Sequence, residues 1–293
     1  MSNIDRGQKK ILKDKGSLIR ADLLVQGTND FSIVSKRSVE KLYFPALNEA
    51  EPVNGEYFHH FVSKEQRRSP AINRGYWIRM NSIKNCIDSI IKNENALINT
   101  IINLGCGYDP LPFQILDNKF KFLRNGKPGM KFLCIDIDYP ELIENKVKMI
   151  KDSAELMEIV GEIDHSCKIP GVQLKTDNYA AVGCNLRDIG LFQEQLTLLG
   201  LYELNTTSIF IAEVSLAYML PEHCNPIIQE TSKFPKSHFV VLEQLLPTAD
   251  NYHPFGRTML HHFKRLSTPL KCVESYSTIS HQLQRFQQLG FPI

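Results

Sequence analysis

The chain has no CxxC pair and no cysteine or histidine grouping at zinc-ligand spacing. Its seven cysteines (Cys86, Cys106, Cys134, Cys167, Cys184, Cys224 and Cys272) are odd in number and scattered. A disulfide framework and a metal site are therefore not expected, and a reducing compartment, the cytosol, fits. No apolar run approaches the roughly 18 residues of a membrane span, and the N-terminus lacks the contiguous apolar segment of a secretory signal. Net charge is only +2, so no global basic field announces nucleic acid. Internal repeats and low-complexity linkers are also missing, which leaves one domain. With 293 residues, 43% hydrophobic and 23% charged, it has ample length for a core.

What is present centres on Ile101-Ile102-Asn103-Leu104-Gly105-Cys106-Gly107-Tyr108-Asp109-Pro110. An apolar strand rises into two glycines one residue apart, a turn that lets a polar ligand approach main-chain N–H groups. Glycine pairs also end strands for geometric reasons alone, so the surroundings decide. Residues 1–20 are polar and basic (Arg6, Lys9, Lys10, Lys13, Lys15, Arg20). They read as a flexible arm, either a solvated terminus or one that touches phosphates. The tetrad Gly27-Thr28-Asn29-Asp30 reads as a turn, followed by a helical pattern through Phe31, Val34, Ser38, Val39 and Leu42. Glu51–Ser69 reads as a loop with a helical middle, carrying His59, His60, Arg67 and Arg68. Pro70 opens a long helix whose core stripe is Ile72, Tyr76, Met80, Ile83, Ile87 and Ile90. Gly75, inside Asn73-Arg74-Gly75-Tyr76-Trp77, is unfavourable in a helix and suggests a close approach.

Strands are then expected at Ala96–Leu104, Lys131–Asp138, Tyr179–Cys184, Thr207–Glu213 and His238–Glu243. Helices follow them over Tyr139–Ile150, to Leu199, and from about Pro221, while Asn118–Gly129 reads as a surface insertion. This rhythm predicts an α/β fold, a doubly wound and mostly parallel sheet over about residues 96–293, with a helical cap over about 21–95. Ligands of such sheets bind outside the carboxyl ends of the strands. The polar residues there are Gly105 and Gly107, Asp136 and Asp138, Asn185, and Glu213. Taken singly, each acid is also explained as a strand-end cap. An acid after the second strand suits a ribose, but a dehydrogenase places it about 20 residues after its glycines. Here it lies about 30 on, and the third glycine of GxGxxG is missing. That argues against a nicotinamide cofactor and leaves S-adenosylmethionine.

In order along the chain, Gln26-Gly27-Thr28, Ile72-Asn73-Arg74-Gly75-Tyr76, Asn103-Leu104-Gly105-Cys106-Gly107-Tyr108-Asp109, Asp138-Tyr139-Pro140, Asn185-Leu186-Arg187-Asp188, Ala212-Glu213-Val214 and Ala217-Tyr218-Met219 resemble the leucine carboxyl methyltransferase family. The likeness covers nearly the whole chain from residue 21. Ser35-Lys36-Arg37-Ser38-Val39-Glu40, Arg68-Ser69-Pro70, Gly107–Phe113, Glu243-Gln244-Leu245 and Met259–Arg265 are most similar to its fungal wybutosine-synthesizing branch.

The resemblance implies a class I, Rossmann-like S-adenosylmethionine methyltransferase. It would methyl-esterify, and in that branch then methoxycarbonylate, the wybutosine precursor at position 37 of phenylalanine tRNA. The sister branch implies another acceptor, the C-terminal leucine carboxylate of the protein phosphatase 2A catalytic subunit. By motif, Arg74 would pair with the cofactor's methionine carboxylate, and Gly105 and Gly107 would let that portion approach the backbone. Asp138, with Asp136 as its competitor, would hold the ribose. Asn185 and Leu186 would flank the adenine, and Glu213 would line the methionine amino end. The family commonly has aspartate where this chain has Asn185; an amide oxygen still accepts from the adenine amino group. A substrate carboxylate is already ionised, so no general base is needed, and Arg37 and Tyr218 are named as substrate-side contacts. A basic rim of Lys36, Arg37, Arg67, Arg68, Lys264 and Arg265 is expected for a tRNA enzyme.

Family domains continue past the fifth strand with an antiparallel pair, and the tRNA branch adds further domains. The sequence stops at Gly290-Phe291-Pro292-Ile293, so an exposed sheet edge is expected. A third reading is then a catalytically incomplete fragment that binds cofactor without transferring its methyl group.

Overall fold

The computed structural model describes residues 3–43, 56–117, 129–246 and 253–292, with side chains from residue 20 onward. Its centre is a six-stranded sheet. The strands are β1 (Ile98–Leu104), β2 (Lys131–Asp138), β3 (Val172–Lys175), β4 (Tyr179–Gly183), β5 (Thr207–Glu213) and β6 (Ser237–Leu242). Their order is β3-β4-β2-β1-β5-β6, and every pairing is parallel except that of β3 with β4. The chain winds outward from β1 through β2 to β4, then returns to β5 and β6 on the other side of β1. The switch point therefore falls between β1 and β5, where an open parallel sheet leaves a crevice at its carboxyl edge.

Helices cover both faces. On one, Ile101, Cys134, Tyr179, Ala181, Ile209 and Ile211 pack with Ile83, Ile87 and Ile91 of α2 (Pro70–Glu94), Phe113 of α3 (Leu111–Leu116), Ile143 and Val147 of α4 (Pro140–Lys151), and Leu156 of α5 (Ala154–Val160). On the other, Ile102, Leu104, Ile135, Ile137, Val182 and Phe210 meet Phe192 and Leu196 of α6 (Ile189–Leu198), Ile227 and Ile228 of α7 (Pro221–Thr231), and Phe286 of α9 (Ile279–Gln288). Burial on both faces is why apolar residues stand at consecutive positions, Ile101-Ile102 in β1, Cys134-Ile135 in β2 and Ile209–Ala212 in β5.

Local chemistry sets the helix ends. Ser69 caps α2 by accepting from the Ile72 N–H at 3.5 Å, with Pro70 in the first turn and Asn95 closing the helix in a left-handed conformation. Asp188 caps α6 from the Leu191 N–H at 3.1 Å. The stripe expected on α2 holds for Ile83 and Ile87, but Ile72 is 44% exposed because the helix's first turns stand clear of the sheet.

Three expectations are corrected. The tetrad Gly27-Thr28-Asn29-Asp30 is not a turn: one helix, α1, runs from Asn3 to Tyr43 and takes in most of the basic N-terminal stretch. Within it Thr28 Oγ1 donates back to the Val25 carbonyl at 2.7 Å, and Asn29 turns its amide to a tertiary partner, so turn propensity is overridden. Second, β3 was not anticipated; it is an antiparallel edge strand of four residues beside β4. Third, Asp136 does not reach the strand end. Its carboxylate is fully buried, 2.7 Å from Lys146 Nζ of α4 and 2.8 Å from the Tyr179 hydroxyl that donates to it. Lys146 donates also to the Asp109 carbonyl at 2.8 Å.

Helices α3 and α5 were not anticipated either. A 3-10 turn at Phe58–His60 supplies the helical middle expected before Pro70. The expected insertion lies, except for Gly129, outside the described residues. Among the described residues β6 pairs only with β5, and the described chain continues beyond it as α8 (Pro254–Arg265) and α9.

Replacing Asp136 by Asn leaves a buried ammonium without its counter-charge and should cost about 3 kcal/mol or more. The joint change Asp136→Leu with Lys146→Met should recover most of it. Denaturant midpoints of the three proteins check this.

Candidate functional site

The carboxyl edge of the sheet is built first by backbone. After Leu104 the chain turns at Gly105 (φ +72°) and Gly107 (φ +51°), both in the left-handed region that favours glycine. The N–H groups of Gly105 and Cys106 donate to the Ile137 carbonyl at 2.8 and 3.2 Å, tying the turn to the end of β2. A Cβ at Gly105 would collide with Ser215, whose hydroxyl donates to the Leu104 carbonyl at 2.7 Å, and one at Gly107 would collide with Asn29.

Asp138 ends β2 and completes this turn. One carboxylate oxygen accepts from the Gly107 N–H and the other from the Tyr139 N–H, both at 2.7 Å. Burial pushes its pKa up to about 6, against the lowering effect of those two N–H groups. Of the two acids expected at this strand, Asp138 is the one brought to the glycines.

The acid at the end of β5 sits in a quartet of charges. Glu213 Oε1 lies 2.7 Å from Lys36 Nζ of α1 and bonds Arg79 of α2, and Lys36 also bonds Asp109 of the glycine turn. The Lys36 side chain is only 5% exposed. Burial alone would raise Glu213, but the Lys36 and Arg79 charges override it and hold its pKa at about 2. The same two acids raise Lys36 against the burial that would lower it. Two cations and two anions thus close the switch point with no net charge.

Helix α1 supplies more than Lys36. Asp22, Asn29 and Lys36 are seven residues apart, a spacing that keeps them on one line of the helix with a drift of only about 20° per step. Asp22 bonds Arg187 beyond β4, Asn29 Oδ1 accepts from the Tyr108 N–H at 2.9 Å beyond β1, and Lys36 reaches the β1 and β5 ends. One helix stripe therefore lies across three strand ends.

The remaining expected residues distribute unevenly. Asn185 folds its carbonyl oxygen back onto Arg187, accepting from its N–H at 3.2 Å and its Nε at 3.1 Å, and Leu186 is buried against the α6 face of the core. The Tyr218 hydroxyl meets Thr28 of α1. Arg37 is not a free contact: it donates to the Val62 and Ser63 carbonyls at 2.6 and 2.7 Å and pairs with Glu65 at 2.9 Å. Lys36 and Arg37 therefore do not belong to a basic rim, whereas Arg67, Lys264 and Arg265 are exposed. Arg74 is exposed too; five residues on, Arg79 lies about 140° round the helix and is the α2 cation at Glu213. Lys36, Arg79, Asp109 and Asn29 were missed as site residues. The signal for Arg79 was in the sequence as the charged end of Tyr76-Trp77-Ile78-Arg79, readable only once the facing side of α2 is known.

A sequence profile described as leucine carboxyl methyltransferase matches residues 18–232. The tRNA wybutosine-synthesizing protein 4 of Candida albicans is 45% identical over 98% of this chain and 41% of its own length. Those of Saccharomyces cerevisiae and Schizosaccharomyces pombe are 44% and 37% identical, each over 92% of this chain and 40% and 38% of their lengths. The chain thus spans about two fifths of these relatives. Among solved structures, an O-methyltransferase family protein from Burkholderia thailandensis aligns with a TM-score of 0.39 at 12% identity, over 69% of this chain and 50% of that one.

The contact between Asn29 and the glycine turn can be measured as a coupling. Gly107→Ala should destabilise the protein by about 2 kcal/mol or more, through the positive φ and the collision with Asn29. Asn29→Ala alone should cost about 1 kcal/mol for the lost hydrogen bond. The pair together should cost less than the sum, because the second change opens the space the first requires. A double-mutant cycle by denaturant unfolding checks it.

Proposed function

Because this chain belongs to the leucine carboxyl methyltransferase family, we propose that it transfers a methyl group from S-adenosylmethionine to the side-chain carboxylate of a wybutosine precursor in phenylalanine tRNA. The observation that carries the reading is the strand-end constellation: a left-handed glycine turn, the buried Asp138 carboxylate beside it, and the Glu213–Lys36–Arg79 charges at the switch point. The tRNA acceptor is supported by the names of the relatives, and the phosphatase tail is the competing acceptor.

The residues present fit the donor. Asp138 keeps a free lone pair on each oxygen for ribose hydroxyls, and its depth in the turn matches a diol held against backbone. Leu186 offers an apolar wall for the adenine and Asn185 an amide beside it. Arg79, with Lys36, rather than the exposed Arg74, is assigned to the methionine carboxylate, because α2 turns Arg79 inward; Glu213 then receives the ammonium.

When bound, the sulfonium supplies an electrophilic methyl group. The chain's own residues position and desolvate. A carboxylate acceptor is ionised at neutral pH and attacks without a base, so no proton needs to move. The α1 stripe covers the strand ends, and the low exposure of Lys36 and Glu213 keeps water from the two opposite charges that must meet. Tyr218, held to α1 by Thr28, borders the acceptor side, and Arg37 fixes the cap rather than the substrate. Phosphate contacts fall to the exposed cations Arg67, Arg74, Lys264 and Arg265, which makes tRNA binding salt-dependent.

The test offers the purified chain radiolabelled S-adenosylmethionine with two acceptors, tRNA carrying the unmethylated precursor and the phosphatase 2A catalytic subunit. Label in the tRNA alone is expected; label in the phosphatase alone overturns the acceptor. Cofactor binding by calorimetry separates the residues: Arg79→Ala should weaken it at least tenfold and Arg74→Ala should not. Binding should also fall as pH drops through about 6. Protonation then takes Asp138 from acceptor to neutral acid, and Asp138→Asn should abolish that dependence along with most of the affinity.

A further inference from the structure

Away from the strand ends, the 3-10 turn of Phe58–His60 meets the start of α5. His59, His60 and Glu155 each turn a ligand atom there, all within 4.8 Å of one another. The two imidazole centroids are 3.8 Å apart and tilted by 38°. His60 Nδ1 lies 3.1 Å from the Ser153 hydroxyl, the same oxygen that caps α5 by accepting from the Leu156 N–H at 3.2 Å. Its other nitrogen, Nε2, is buried and makes no aligned hydrogen bond, although Glu155 Oε2 stands 3.2 Å away. With Nδ1 turned to Ser153, Nε2 is the His60 ligand atom that faces Glu155.

We propose that His59, His60 and Glu155 form a binding site for a divalent transition metal of the zinc class, which pins the connection between α1 and α2 onto α5. Two imidazoles and one carboxylate are a borderline-soft donor set that suits zinc and not calcium or magnesium. Zinc bonds of about 2.0–2.2 Å in tetrahedral geometry put ligand atoms about 3.4 Å apart. The cluster therefore closes by about 1 Å, and His59 and Glu155, both exposed, have the freedom to do so. Ser153 is placed as the outer partner that orients a ligating histidine through its second nitrogen. Water fills the fourth position.

The site also has mechanical sense. The Tyr57 and Phe58 N–H groups donate to the Glu40 carboxylate of α1 at 2.9 and 3.1 Å, and Phe61 packs on Phe113 of α3 at 5.5 Å between centroids. A metal here joins the segment that carries Lys36 to the layer that carries Lys146.

The test titrates the intact chain, in reductant, with Zn2+ alone against a chromophoric chelator, and with Co2+ alone by absorption. One equivalent of Zn2+ should bind and raise the unfolding temperature. Co2+ should give a four- or five-coordinate nitrogen and oxygen spectrum. His59→Gln and Glu155→Gln, both exposed changes that leave the fold intact, should each weaken affinity at least tenfold and together abolish the thermal shift. Ser153→Ala should weaken it by about tenfold. Absence of binding, unchanged affinity in the double variant, or sulfur-to-cobalt charge transfer from the cysteines would each overturn the proposal.

Discussion

The structure depends on a buried ammonium. Lys36 cannot sit at the switch point uncompensated, because removing a charge from water costs several kcal/mol unless partners replace the solvent. Asp109 and Glu213 supply them, and Arg79 balances the second acid. Each partner comes from a different place: the N-terminal helix, the glycine turn after β1, the end of β5 and the helix before β1. Satisfying one charge therefore assembles four segments, and the crevice that the topology would leave open acquires both its floor and its cover. Lys146 does the same on the opposite side of the turn, holding Asp136 and the Asp109 carbonyl, so the turn is clamped between two buried lysines.

That arrangement separates two acids that the sequence presents alike. Asp136 and Asp138 are two residues apart and point to one face of the sheet. Depth along the strand is the difference: Asp136 lies level with Lys146 and neutralises it, while Asp138 emerges where two backbone N–H groups meet it. A carboxylate surrounded by dipoles rather than by a full charge remains available to a ligand.

The strands of the sheet were legible because each carries a short apolar run, Ile101-Ile102 in β1, Phe132–Ile135 in β2 and Ile209–Ala212 in β5, with helical or turn patterns between them. β3 was not, since an edge strand of four residues needs no such run. Helix α1 was misread at Gly27-Thr28-Asn29-Asp30 because its side chains are chosen for contacts across the strand ends, so helix propensity and apolar periodicity are both weak there. The glycine turn, Asp138 and Glu213 were readable as strand-end residues. Arg79 and Lys36 were not, because their importance rests on which way two helices are rotated, and rotation is decided by packing against the sheet.

The line formed by Asp22, Asn29 and Lys36 works as a ruler. Altering one mark removes that mark's contacts, whereas altering the spacing misdirects the others as well. One residue inserted anywhere between Asp22 and Lys36 would swing everything on one side of it by about 100° relative to the other. At least one mark would then point at solvent while the strand ends kept their places. In this part of the chain, therefore, the count of residues is under stricter control than their identity.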